Sequence, residues 1–286
     1  MRRLCCIMLA CLAVLPARAQ ALPSLLIPTD CRSLAMGGTR TAQAPAGLDF
    51  DAYYALWAPS TSLCNIFGAD ISAMVMPGLS LTADIRRYSD RPYEIASGTG
   101  AMGETFKPYD FSFSVGAEYC FRNVLLVGLD MRNTNSSIAK DVTGSAVSGD
   151  VYAGVVFPRW NVMLAARNIG TAINYGYGDY ALPGLIGLSG GLTPVSGLEL
   201  AAEADYLFPG DGFSGGFMAG AGAEYSFRDM LFVRAGYHFG GSGGALPDFA
   251  SFGLGGLLGG FYVDASVLLL SPTLGGSFMV SLGYCF

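Results

Sequence analysis

Hydrophobic residues fall at every second position along most of this chain, the period of a strand with one buried and one polar face. From Tyr109 to Phe121 one face reads Tyr109, Phe111, Phe113, Val115, Ala117, Tyr119, Phe121. The other reads Asp110, Ser112, Ser114, Gly116, Glu118, Cys120. Leu198, Leu200, Ala202, Ala204 and Tyr206 likewise alternate with Glu199, Ala201, Glu203 and Asp205. Arg234 and His238 oppose Leu231, Val233, Ala235, Tyr237 and Phe239, and Asp264 sits between Val263 and Ala265. A charge turned toward lipid costs roughly 2–4 kcal/mol at mid-bilayer for Lys or Arg. The parity therefore assigns the apolar face to lipid and the polar face to a lumen.

The alternation predicts fourteen strands, at 48–57, 66–76, 79–89, 108–121, 123–133, 148–157, 160–169, 184–193, 196–207, 213–226, 230–240, 249–257, 260–270 and 275–286. Short turns (Pro77-Gly78, Arg122, Pro158-Arg159, Arg228-Asp229) alternate with longer loops at 90–107, 134–147 and 170–183. Bacterial barrels keep short turns in the periplasm and long loops outside. Aromatics gather at strand ends, as interface girdles require: Tyr119 and Phe121, Tyr225 and Phe227, Tyr284 and Phe286. The expected fold is an all-β transmembrane antiparallel barrel over 48–286, after a short N-terminal plug or periplasmic segment at 20–47. The last strand, with Phe278, Val280, Leu282, Tyr284 and terminal Phe286 on one face, is similar to the segment that outer-membrane insertion machinery recognises.

Composition narrows the alternatives. The 286 residues are 52% hydrophobic and 13% charged, with 40 glycines, against about 25% charged in ordinary soluble chains. Disorder needs the opposite balance. The 16 basic residues are outnumbered by 22 acidic ones, which argues against nucleic acid as a partner. A spanning helix needs about 20 consecutive apolar residues. The uncharged run from Tyr180 to Leu198 is broken by Pro183, Pro194 and several glycines.

Residues 1–19 carry the parts of an export signal: Arg2 and Arg3, the apolar Leu4 to Leu15, and Ala17-Arg18-Ala19 before a cleavage point. Cleavage makes Gln20 the new N-terminus and removes three arginines, leaving 13 basic against 22 acidic residues. Cys31, Cys64, Cys120 and Cys285 remain in an oxidising compartment, where three pairings are open. No C-x-x-C pair and a single His argue against a metal site.

The segments SLAMGGTRTAQA (33–44), RNIG (167–170), GAEYSFRDMLFVRAGYHFG (222–240) and GGSFMVSLGYCF (275–286) resemble the PorV/PorQ family of FadL-like outer-membrane barrels. The resemblance implies a 14-stranded barrel with an N-terminal plug in the outer membrane of a Gram-negative cell. It further implies passage of a hydrophobic small molecule, or an accessory role beside type IX secretion-system proteins. One departure stands out: TAQAPAGLDFDAYYALW (41–57) runs almost directly from the AMGG segment into the first strand, so the plug is short.

The expected lumen lining is Asp84, Arg86, Asp110, Glu118, Asp130, Arg132, Arg167, Glu199, Glu203, Asp205, Glu224, Arg234, His238 and Asp264. Two readings stay open. The set lines a polar ligand path, or its opposite charges pair across strands and fill the interior. In the second case the barrel is a structural or surface-interaction protein with a closed lumen. No catalytic set is legible: the one His has no serine motif near it, and the glycine runs lack a phosphate-loop Lys. The expectation is a non-enzyme without cofactor, whose partners are outer-membrane lipid, the insertion machinery, and a hydrophobic molecule or secretion proteins.

Overall fold

The computed structural model describes residues 22–43, 47–96, 102–209, 215–241 and 246–286. The expected signal at 1–19 lies outside them. The barrel strands are β1 (Leu48–Trp57), β2 (Cys64–Met76), β3 (Leu79–Ser89), β6 (Tyr109–Phe121), β7 (Leu125–Ala139), β8 (Val142–Phe157) and β9 (Trp160–Gly170), then β12 (Leu185–Val195), β13 (Leu198–Leu207), β14 (Gly216–Phe227), β15 (Leu231–Phe239), β16 (Phe249–Leu258), β17 (Phe261–Leu269) and β18 (Phe278–Cys285). Two small hairpins, β4 (Tyr93–Ala96) with β5 (Met102–Phe106) and β10 (Ile173–Asn174) with β11 (Asp179–Tyr180), stand on the long loops.

All fourteen large strands pair antiparallel with their neighbours. Pairing of β1 with β18, from Asp49 opposite Cys285 to Leu56 opposite Phe278, closes the ring. Closure removes the sheet edges that lipid could not satisfy. Phe67, Phe113, Leu129, Leu164, Val233 and Leu282 are among the many large apolar side chains left exposed on the outside. An apolar surface of that extent around a closed barrel belongs in lipid. The protein is an outer-membrane barrel.

The strands exceed the expected boundaries furthest at one place. Residues 134–147, expected as a loop, are the upper halves of β7 and β8, joined by a turn at Lys140-Asp141. Thr134 and Ser136 point inward while Asn133 and Asn135 are exposed. Alternation persists there, but both faces are polar because the hairpin rises above the lipid. The polarity hid the strand.

Three inward tyrosines lie across glycines of the neighbouring strand: Tyr53 over Gly68, Tyr152 over Gly128 and Tyr262 over Gly283. The glycine makes room, and the ring covers backbone that would otherwise be bare.

The plug runs through the lumen. Its 3-10 turn Pro23–Leu26 lies at the long-loop end, where Leu22 packs with Ala146, Ile173 and Leu182. Helix α1 (Cys31–Ala35) is capped by Asp30, whose Oδ1 accepts from the Ser33 amide at 2.6 Å. Gly37 and Gly38, at φ +75° and +81°, end it, and the Gly38 amide bonds Ser33 O at 2.8 Å. The chain then descends to Ala42, which packs with Cys120, Leu126 and Met163 toward the short-turn end. Among the described residues Cys31, Cys64, Cys120 and Cys285 are free, so none of the three pairings forms.

Candidate functional site

The plug leans on one half of the wall. Cβ atoms added at Gly220, Gly222, Gly236 and Gly253 would fall 2.3–2.6 Å from atoms of Ala35, Met36 or Gly37. These glycines of β14, β15 and β16 form a bed on which the end of α1 rests, backbone against backbone. Ser251 ties it down, accepting from the Gly37 amide at 3.0 Å and donating to Ala35 O at 2.8 Å.

Charge fixes the same contact. Arg32 of the plug bonds Glu199 at 2.9 Å and Glu224 at 3.1 Å. Burial opposes its charge, yet the two carboxylates outweigh it and hold the guanidinium above its ordinary value. Arg234 bonds Glu224 at 2.5 Å and also reaches Asp264. Four expected lumen residues, Glu199, Glu224, Arg234 and Asp264, therefore anchor the plug or lie beneath it. Further along, Glu203 accepts from the Arg40 amide at 2.6 Å and from Arg167 at 2.6 Å, while Asp205 stands 3.6 Å from Arg167. The Arg40 guanidinium is pushed below its ordinary value by neighbouring Arg167 and by burial.

A cavity of about 310 Å³ lies between plug and wall. Nine expected residues line it: Asp84, Arg86, Glu118, Asp130, Arg132, Arg167, Glu203, Asp205 and His238. Leu26, Ile27, Leu126, Met163, Met218, Leu246 and Phe249 supply its apolar parts. Most of the charges are engaged. Ser114 donates to Asp84, Thr82 to Asp130 at 3.2 Å, and Tyr152 to Glu118 at 3.0 Å. Arg132 bonds Asn168 at 3.0 Å and Asp150 at 3.4 Å. The remaining expected residue, Asp110, lies above the cavity and accepts from Ser24 at 2.8 Å and Ser136 at 2.6 Å.

Arg86 is bonded on one side only. It is 7% exposed, and its Nη1 donates to Ile27 O at 3.1 Å. Nε and Nη2 have no hydrogen-bond partner among the described residues. Those two N–H groups share one edge of the guanidinium, the edge that grips two acceptors at once. Arg86 also borders an apolar groove of about 610 Å³ in the outer wall, with Tyr54, Phe67, Ala69, Ile85, Val280 and Leu282. Inner cavity and outer groove share this one residue, beside Tyr53 on Gly68.

Several functional residues escaped the sequence reading. Asp51, 6% exposed with Oδ1 unpartnered among the described residues, stands opposite Asp70, which stands opposite Asp84. Asp150 pairs with Arg132. Strand parity alone could have found Asp51, Asp70 and Asp150. Nothing periodic marks Arg32 or Arg40, because their partners lie more than 150 residues away.

No family model matches the chain, and no curated protein matches it in sequence. Solved structures match it in fold. The toluene transporter TodX of Pseudomonas putida aligns with a TM-score of 0.65 at 12% identity, over 94% of this chain and 98% of that one. The Ralstonia pickettii toluene transporter TbuX gives 0.62 at 12%, over 91% and 99%. A FadL homologue of Pseudomonas aeruginosa gives 0.55 at 10%, over 92% and 99%. The protein has the fold of FadL-like outer-membrane barrels.

Proposed function

We propose that this barrel carries a small, mainly apolar molecule across the outer membrane through the cavity between plug and wall. The cavity beside Arg86, which shares that residue with an apolar groove on the lipid side, is the observation that carries the reading. A lumen filled only by paired charges would favour the structural alternative; the free edge of Arg86 and the apolar cavity walls favour transport. Similarity in fold to toluene transporters and a FadL homologue supports the same class of cargo. The segments at 33–44 and 222–240 support a place within the PorV/PorQ branch, and the small cavity favours a ligand over a secreted protein as cargo. The strands between cavity and groove are fully paired, so lateral release into lipid requires Tyr53 to leave Gly68.

Radiolabelled toluene uptake by cells making the barrel tests this reading. Ala165 lines the cavity and is buried, so Ala165→Phe fills the space. Uptake is expected to rise with the wild-type barrel and to fall to the barrel-free level in the variant, with assembly checked by heat-modifiable gel mobility. Equal uptake with and without the wild-type barrel overturns the proposal.

A further inference from the structure

His238 is held as a fixed acceptor inside the cavity. Its Nδ1 lies 3.2 Å from Gly37 O, and a carbonyl oxygen only accepts, so Nδ1 carries the proton. The ring stacks on Phe249, with centroids 4.8 Å apart and planes 12° off parallel. The side chain is buried, and Nε2 has no partner among the described residues. Glu203 lines the same cavity, but its oxygens are taken by Arg167 and the Arg40 amide. A second proton on the ring would bury a charge without a partner at Nε2, which is costly. Nε2 is therefore a buried lone-pair acceptor in a lining to which Met218, Leu246 and Phe249 also belong.

We infer that His238 determines specificity: the cavity selects an apolar molecule bearing a hydroxyl group, whose O–H donates to Nε2. This rests on the transport reading above and names its substrate class. A plain hydrocarbon of the same shape leaves Nε2 dry and unpaired. A site built to bond a hydroxyl discriminates against the analogue that lacks it.

Phenol and toluene are near-isosteric and differ by that hydroxyl. The chain has a single His, so ¹⁵N-histidine labelling gives one pair of ring resonances. Titrating the mature protein in detergent, phenol is expected to bind about tenfold tighter than toluene and to shift the Nε2 resonance, which toluene leaves in place. His238→Phe keeps the stack on Phe249 and removes Nε2, and should bind the two alike. Because that variant also loses the bond to Gly37, Ser251→Ala serves as a second: it loosens the plug through Gly37 and Ala35 but keeps Nε2. It should retain the preference for phenol. Loss of the preference in Ser251→Ala assigns it to plug seating and overturns the inference. Equal binding of both probes by the wild type overturns it while leaving the transport reading intact. Binding of neither overturns both.

Discussion

At Asn168 a single residue changes the direction of two side chains. The register of β8 against β9 shifts between Gly149 and Val151, leaving Arg167 and Asn168 together opposite Asp150. Asn168 takes φ +55°, a region Asn tolerates better than most residues, and its amide bonds Asp150 at 2.7 Å. Both Arg167 and Asn168 consequently face inward, one to Glu203 and the other to Arg132. A strict period of two assigns Arg167 correctly and misses Asn168, because a bulge breaks parity without leaving a sign in hydrophobicity. Cys31 offers a test at the same scale. Burial between α1 and the wall pushes its thiol from 9.0 up to about 12. The folded state favours the neutral thiol, so plug seating is at full strength below pH 9 and weakens as pH rises from 9 toward 12. At pH 8 maleimide should label Cys31 far more slowly than the half-buried Cys285. Equal rates would show that the plug does not bury it.

Among elements, the bed of four glycines decides where the plug sits. In the alternation those glycines hold ordinary strand positions. What approaches them became visible only once α1 was placed, since contact between a five-residue helix and strands far along the chain has no local signature. Gly236 is the sharpest point, as a Cβ there would lie 2.3 Å from the Gly37 amide nitrogen. Gly236→Val should cost seating about 1–3 kcal/mol through overpacking. The barrel wall, built from other contacts, should stay closed. Planar-bilayer recording is expected to show larger single-channel conductance than the wild type, with faster Cys31 labelling in parallel. An unchanged conductance would place the plug's hold elsewhere. The hairpin at 134–147 teaches the complementary point: where neither face meets lipid, polarity no longer reports strand or loop.

At the scale of the whole molecule, strand number, parity and closure were legible because lipid outside and polar lumen inside impose one rule on every strand. The cavity was not, because it depends on where in the lumen the plug sits. Assembly can be examined through the last residue. Phe286 is exposed, and its amide bonds Leu48 O at 2.8 Å where the two chain ends meet. Deleting Phe286 is expected to slow insertion into the outer membrane by more than Phe278→Ala at the strand's other end, measured as the pulse-chase appearance of the heat-modifiable form. Equal rates for both would remove the terminal aromatic as the signal.

The seam between β1 and β18 has one more consequence. The segment inside the ring reaches from Leu22, among Ile173 and Leu182, to Ala42, toward the opposite rim. It is a cord threaded through a hoop, and eight residue pairs form the clasp. Once the clasp is fastened, a cord cannot be laid in sideways; it would have to be pulled through end first, past Arg32 and Met36. A hoop still open at this seam would be a furrow, with the glycine bed facing the cord from the side.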